Sequence, residues 1–289
     1  MPVAHSPLRY PGGKAVLSDF LAEVVSVNGL EDGTYVEPYA GGAGVALSLL
    51  FSEHVQRIVL NDADPCVYAF WNVVLNRSGD LIRRLQDTPV TIQEWRRQRD
   101  IYRNQSRHSR IKVAFASFYL NRCNRSGIMV NGGPIGGFQQ SGKWKLDARY
   151  NKDELIRRIE KIHLYRDRIE VSNMDAVEFL RNVIRRRKDL DHMLVYLDPP
   201  YYAKGSRLYL NHYRPEDHAK LAAFIKGQTS FTWLMTYDDV AEIRLLYGDC
   251  DTVAFQLPYT AHSRKKGEEV LIHGPGLVMP HDGVSAVCR

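Results

Sequence analysis

The sequence predicts an α/β fold, a parallel sheet with helices on both faces, and three observations carry that prediction. Short β-branched or aromatic runs recur along the chain, most are followed by a helical pattern of apolar residues, and several end on a carboxylate. Strand-then-helix repetition is the signature of right-handed crossovers packing helices onto a parallel sheet.

The strand candidates are Thr34–Val36, Arg57–Leu60, Arg168–Val171, Met193–Leu197, Phe231–Thr236, Thr252–Gln256 and Glu269–Ile272. A first helix is expected from about Lys14 to Asn28, where Leu17, Phe20, Leu21, Val24 and Val25 recur at helical spacing after Pro11-Gly12-Gly13. A second follows Gly44 through Leu47, Leu49 and Leu50. A third follows Asp64, with Pro65 at the favoured first helical position and Val67, Phe70, Trp71 and Val74 forming its apolar stripe. Between about Leu75 and Asn151 the rhythm breaks. That stretch is helical and basic, with Arg96, Arg97, Arg99, Arg103, Arg107 and Arg110 leading into the apolar run Val113–Leu120. It then turns Gly-rich from Asn131 to Gly137 and aromatic and basic from Phe138 to Lys145, which reads as a hairpin or loop on a helical platform. An amphipathic helix from about Lys152 to His163 resumes the pattern.

Composition excludes several classes. With 44% hydrophobic and 25% charged residues, the 289-residue chain can bury a full core, so disordered and collagenous classes drop out. No run of about 18 apolar residues offers a spanning helix, and the amino-terminal segment lacks the apolar stretch of a secretory signal. Cys66, Cys123, Cys250 and Cys288 are scattered without C-x-x-C spacing, which suggests neither a zinc site nor a disulfide framework. The chain reads as cytosolic and reduced, with no metal, membrane or obligate protein partner expected. Its net charge of +6 fits either a solvated Lys/Arg surplus or a polyanionic partner.

The strongest chemical signal is Leu194-Val195-Tyr196-Leu197-Asp198-Pro199-Pro200-Tyr201. An apolar strand delivers Asp198 to its carboxyl end, where ligands sit in open α/β sheets. Pro199 and Pro200 present carbonyl oxygens without competing N–H donors, and Tyr201 adds a flat aromatic face. Such a site suits a planar ring bearing an amino group. Accepting both N–H bonds favours a more tetrahedral nitrogen, whose lone pair can attack an electrophilic methyl in line. Three partners support this. Tyr35 to Gly44 runs from strand through a Gly-rich turn into a helix, as close approach to a nucleoside-bearing cofactor requires. Asp62 closes the next strand, a usual position for binding ribose hydroxyls. Arg9-Tyr10-Pro11-Gly12-Gly13-Lys14 supplies a cation and an aromatic face, although Lys14 also reads as an ordinary helix-start lysine.

Together these motifs resemble the Dam-type, D12 class of DNA adenine-N6 methyltransferases: a P-G-G-K-type start, a Gly-rich cofactor turn, an inserted recognition region opened by Phe118–Asn124, then D-P-P-Y. The resemblance spans nearly the whole chain. It implies a Rossmann-like S-adenosylmethionine-dependent methyltransferase fold with a seven-stranded mixed sheet, a catalytic domain of residues 1–75 and 150–289, and a helical target-recognition insert at 76–149. It further implies that Tyr10, Lys14, Glu37, Pro38, Tyr39, Ala40, Gly41, Gly42, Asp62 and Asp198 bind S-adenosylmethionine. Asp198, Pro199, Pro200 and Tyr201 would hold the adenine amine, with Tyr201 stacking on the base. For Asn173-Met174-Asp175 two readings stay open: a contact to the cofactor adenine, or a helix N-cap by Asn173. Tyr10 stands where many members carry Trp, and Asn121–Ile128 departs from the pattern of GATC-specific members, so their recognition sequence does not carry over.

An adenine within a duplex must flip out to reach Asp198, at a cost of a few kcal/mol. Lys143, Lys145, Arg264, Lys265, Lys266 and the arginines of the insert are the expected phosphate contacts. Arg122, Asn124 and Arg125 open the recognition region, and the two arginines are placed by motif to read bases, a bidentate arginine–guanine pair giving about 1–3 kcal/mol of discrimination. The run Arg185-Arg186-Arg187-Lys188 reads as a solvated helix end.

Overall fold

The computed structural model describes residues 4–9, 14–202, 213–257 and 267–281. Seven strands form one sheet: β1 (Thr34–Glu37), β2 (Arg57–Asn61), β3 (Ile169–Ser172), β4 (Met193–Leu197), β5 (Thr232–Asp238), β6 (Asp251–Leu257) and β7 (Gly267–His273), in the order β3-β2-β1-β4-β5-β7-β6. The first five are parallel, while β7 runs antiparallel to both β5 and β6. The expected mixed seven-stranded sheet is therefore the one observed, and every expected strand is present.

The strand order reverses between β1 and β4, which pair directly with Val36 opposite Val195. At such a reversal the flanking crossovers leave on opposite faces and open a crevice beyond the strand ends. Glu37 and Asp198 stand at that crevice.

Alternation along the strands divides the core in two. Tyr35, Leu194, Tyr196, Leu234 and Leu271 face one cluster; Val36, Val195, Leu197, Trp233, Met235 and Ile272 face the other. The first face is covered by α1 (Ser18–Val27), entered through a 3-10 turn from Lys14, with α2 (Gly44–Phe51), α3 (Pro65–Asn76) and α7 (Lys152–Leu164). The second is covered by α8 (Ala176–Arg186), α9 (Pro215–Ile225) and α10 (Ala241–Leu246).

Between α3 and α7 lie α4 (Ser78–Asp87), α5 (Ile92–Arg103) and α6 (Arg110–Cys123). Helix α6 is buried on nearly every side, with Phe70 of α3 stacked on its Phe118 at 5.9 Å. The first cluster thus runs unbroken from the sheet into these helices. Beyond α6 the chain is irregular: where the Gly-rich stretch could have been a hairpin, only a single bridge, Asn124 with Pro134, is formed. Gly127 there takes φ +74° and passes against the Arg9 backbone, leaving no room for a Cβ.

Candidate active site

The turn expected to hold the cofactor is built by backbone constraints. Gly41 at φ 45° and Ala43 at φ 47° bend the chain sharply between β1 and α2. Trp71 Nε1 donates to Gly41 O at 2.9 Å, and Gly41 N donates to Asp62 Oδ2 at 2.9 Å. Asp62 Oδ1 accepts from Asp64 N at 2.8 Å, so this carboxylate ties the end of β2 to the turn after β1. Glu37 accepts from Ala46 N at 3.2 Å in the first turn of α2. Burial raises both acids, Glu37 to about 8 and Asp62 to about 7, with the Asp64 charge adding to the rise at Asp62.

Beside this turn, the even-numbered positions at the carboxyl ends of β4 and β5 put polar groups on the α1 face. Thr236 Oγ1 donates to Asp198 Oδ1 at 3.0 Å and lies 2.8 Å from the Tyr196 hydroxyl. Lys14 Nζ reaches Asp198 Oδ1 at 3.1 Å, both carboxylate oxygens of Glu269 at 3.0 and 3.2 Å, and the Tyr201 hydroxyl at 3.1 Å. Tyr201 in turn donates to Glu269 Oε1 at 3.0 Å. Burial raises the Asp198 pKa, Lys14 opposes the rise, and Glu269 adds to it.

A cavity of about 470 Å³ opens over both halves. Lys14, Glu37, Pro38, Tyr39, Ala40, Gly42, Asp62, Asp198 and Pro200 line it. Gly41, Pro199 and Tyr201 do not. Tyr201, expected to stack on a base, is 7% exposed and turns its hydroxyl into the protein. Tyr10, Arg264, Lys265 and Lys266 lie outside the described residues. Asp175 and Ala176 also line the cavity, and Asp175 caps α8 by accepting from Val177 N and Glu178 N. The cap expected of Asn173 thus belongs to Asp175, two residues on, because the helix begins later; Asn173 instead donates to Asp62 O at 2.7 Å.

One end of the cavity is cationic. Arg9, Arg122, Arg149 and Arg158 all line it. Backbone oxygens orient three of them: Arg122 Nε donates to Arg149 O at 2.7 Å, Arg158 to Ser6 O at 2.8 Å and Arg9 to Asn124 O at 3.2 Å. Burial, then the neighbouring arginines, push Arg122 down to about 10. Asn124, expected against DNA, is fully buried: it accepts from Trp95 Nε1 at 2.7 Å and donates to Ile128 O at 2.7 Å. Both ends of its amide are used to shape the loop. Arg125, Lys143 and Lys145 are exposed, Lys145 donating to Gln140 O at 2.6 Å. Phe138 and Trp144, 52% and 66% exposed, stand among them.

Sequence reasoning missed Glu269, Thr236, Arg149 and Arg158 as site members, and named Arg9 only as part of the motif leading to Lys14. A signal existed for Glu269, an acid facing inward on an apolar strand, but nothing local marks the others.

The sheet order, the glycine turn at β1 and the acidic end of β4 define an S-adenosylmethionine-dependent methyltransferase fold. A family model of the D12 class N6 adenine-specific DNA methyltransferases matches residues 10–265. The chain belongs to that family, and it is an adenine-specific DNA methyltransferase using S-adenosylmethionine. A search of curated proteins gives no match.

Proposed function

We propose that the cavity is where both ligands meet, with the turn from Glu37 to Gly42 and Asp62 holding S-adenosylmethionine and Asp198-Pro199-Pro200-Tyr201 holding the target adenine. The observation that carries this reading is that one cavity is lined at once by the cofactor turn, by Asp198 and by Pro200. Its donor set fits the cofactor: sharply bent backbone for close approach, and buried carboxylates facing a space of nucleoside size. Bound there, the cofactor supplies an electrophilic methyl on sulfur.

The chain's own residues then act on the base. Asp198 and the carbonyl of a following proline accept hydrogen bonds from the two N6–H groups, which makes the nitrogen lone pair available to the methyl. Lys14 and Thr236 hold Asp198 in place for this. Tyr201 is the aromatic side chain behind the turn, its hydroxyl held by Lys14 and Glu269, and its proposed part is to stack on the base. Buried surroundings keep competing water from the amine.

Residues 1–75 and 150–289 form the catalytic domain in this reading, and 76–149 the target-recognition region. Duplex DNA would lie across the irregular segment after α6. Arg125, Lys143 and Lys145 meet phosphates and bases there, joined by Arg264, Lys265 and Lys266, and Trp144 offers a stacking face. The arginines at the cationic end of the cavity, Arg122 among them, would guide the backbone of the flipped nucleotide. Action on DNA supports an intracellular, cytoplasmic location.

The test is Asp198→Ala with labelled cofactor and duplex DNA. Loss of N6-methyladenine with retained non-specific DNA binding is expected; wild-type methylation by the variant would overturn the assignment.

A further inference from the structure

Glu269 belongs to neither the cofactor turn nor the D-P-P-Y turn, yet it is a carboxylate 1% exposed within the sheet. Burying a carboxylate is unfavourable unless hydrogen bonds and an opposite charge hold it. The groups that hold Glu269 are themselves members of the site: Lys14 Nζ at 3.0 and 3.2 Å and the Tyr201 hydroxyl at 3.0 Å.

The bonds have a direction. Lys14 donates to the Tyr201 oxygen at 3.1 Å, and Tyr201 spends its single hydroxyl proton on Glu269. A phenol held on both sides of its oxygen cannot swing, so the position of the ring behind Asp198-Pro199-Pro200 is set from β7. The same lysine joins Glu269 to Asp198.

We propose that Glu269 is a positioning residue of the methyl-transfer site, fixing the Tyr201 ring through its hydroxyl and holding Lys14 where it governs the charge on Asp198. This inference rests on the reading of Asp198 to Tyr201 as the amine-binding turn.

An electrostatic consequence separates this role from simple bracing. Asp198 is faced by Lys14 before α1, Glu269 on β7, Thr236 and Tyr237 on β5, Tyr196 on β4, and Tyr35 and Glu37 on β1. Glu269 pushes the Asp198 pKa upward, and Lys14 pulls it down. Replacing Glu269 by glutamine removes the upward push and leaves Lys14 to Asp198, so Asp198 ionises at lower pH. The acid limb of activity, which reports ionised Asp198 able to accept N–H bonds, moves the same way.

The experiment compares wild type, Glu269→Gln, Tyr201→Phe and Asp198→Ala in the full-length chain, measuring kcat and KM across pH, with circular dichroism and DNA binding as independent readouts. Glu269→Gln is expected to fold and bind DNA like wild type. Its acid limb should move down by roughly one pH unit, and its kcat should fall roughly tenfold or more through misplacement of the ring. Tyr201→Phe should lower kcat without moving the limb. An unmoved limb in Glu269→Gln, a kcat within about twofold of wild type, or loss of the fold would each overturn the role. If Asp198→Ala retains full activity, it is the site reading that fails. If Asp198→Ala is inactive and Glu269→Gln is normal, only the role of Glu269 falls.

Discussion

Lys14, at the first helical turn, and Glu269, on the antiparallel strand β7, form an ion pair of 3.0 Å although 255 positions separate them. The pair closes the sheet over the D-P-P-Y turn, because Asp198 is the lysine's other carboxylate partner at 3.1 Å. Site and fold therefore share one buried charge.

Removing that charge should cost stability as well as activity. In Lys14→Gln the buried Glu269 and the part-exposed Asp198 lose the cation they share, and breaking a buried pair such as Lys14–Glu269 costs about 3–5 kcal/mol. Urea denaturation of the variant should show a loss of that order, and a loss below about 1 kcal/mol would mean the pair behaves like a surface one.

Glu37 and Asp62 make stability fall as pH rises. Both are raised in the folded protein, to about 8 and about 7, so between their ordinary range near 4 and those values the native state binds more protons than the unfolded chain. Stability therefore falls as pH climbs from about 4, where the unfolded carboxylates ionise, and levels off above about 8, where both groups are ionised in the folded protein too. The melting temperature without cofactor should drop over that window, and Glu37→Gln with Asp62→Asn should flatten the drop. A wild-type melting temperature constant across the window would refute the assignment.

Two residues of the segment after α6 should respond oppositely. Asn124→Ala leaves Trp95 Nε1 and Ile128 O without their partner and should destabilise by about 1–3 kcal/mol. Lys143→Ala should leave stability unchanged, weaken DNA binding, and reduce the slope of log affinity against log salt by about 0.9. Melting curves and salt titrations of the two variants decide this. Equal salt slopes for wild type and Lys143→Ala would remove that lysine from the interface.

What was legible in the chain was whatever a short window encodes. β4 could be read as a strand because Leu194, Val195 and Leu197 stand together before two prolines, and the cofactor turn because glycines follow Val36. Both signals are local: strand propensity, ring closure at proline, freedom at glycine. Asn124 misled because its neighbours in sequence, Arg122 and Arg125, are cationic, while its neighbours in space are Trp95 and the Ile128 carbonyl. Exposure is decided by packing, and a window of sequence does not contain it.

The sequence by itself determined the class of sheet, the two turns proposed to carry the chemistry and the family the chain belongs to. Only the tertiary structure decided which charges meet. β7 enters antiparallel beside β5, placing Glu269 opposite Asp238 and on the face of Leu271, toward Lys14. Strand order and direction follow from how the whole core packs, so the partner that a buried lysine finds is a property of the fold and not of its motif.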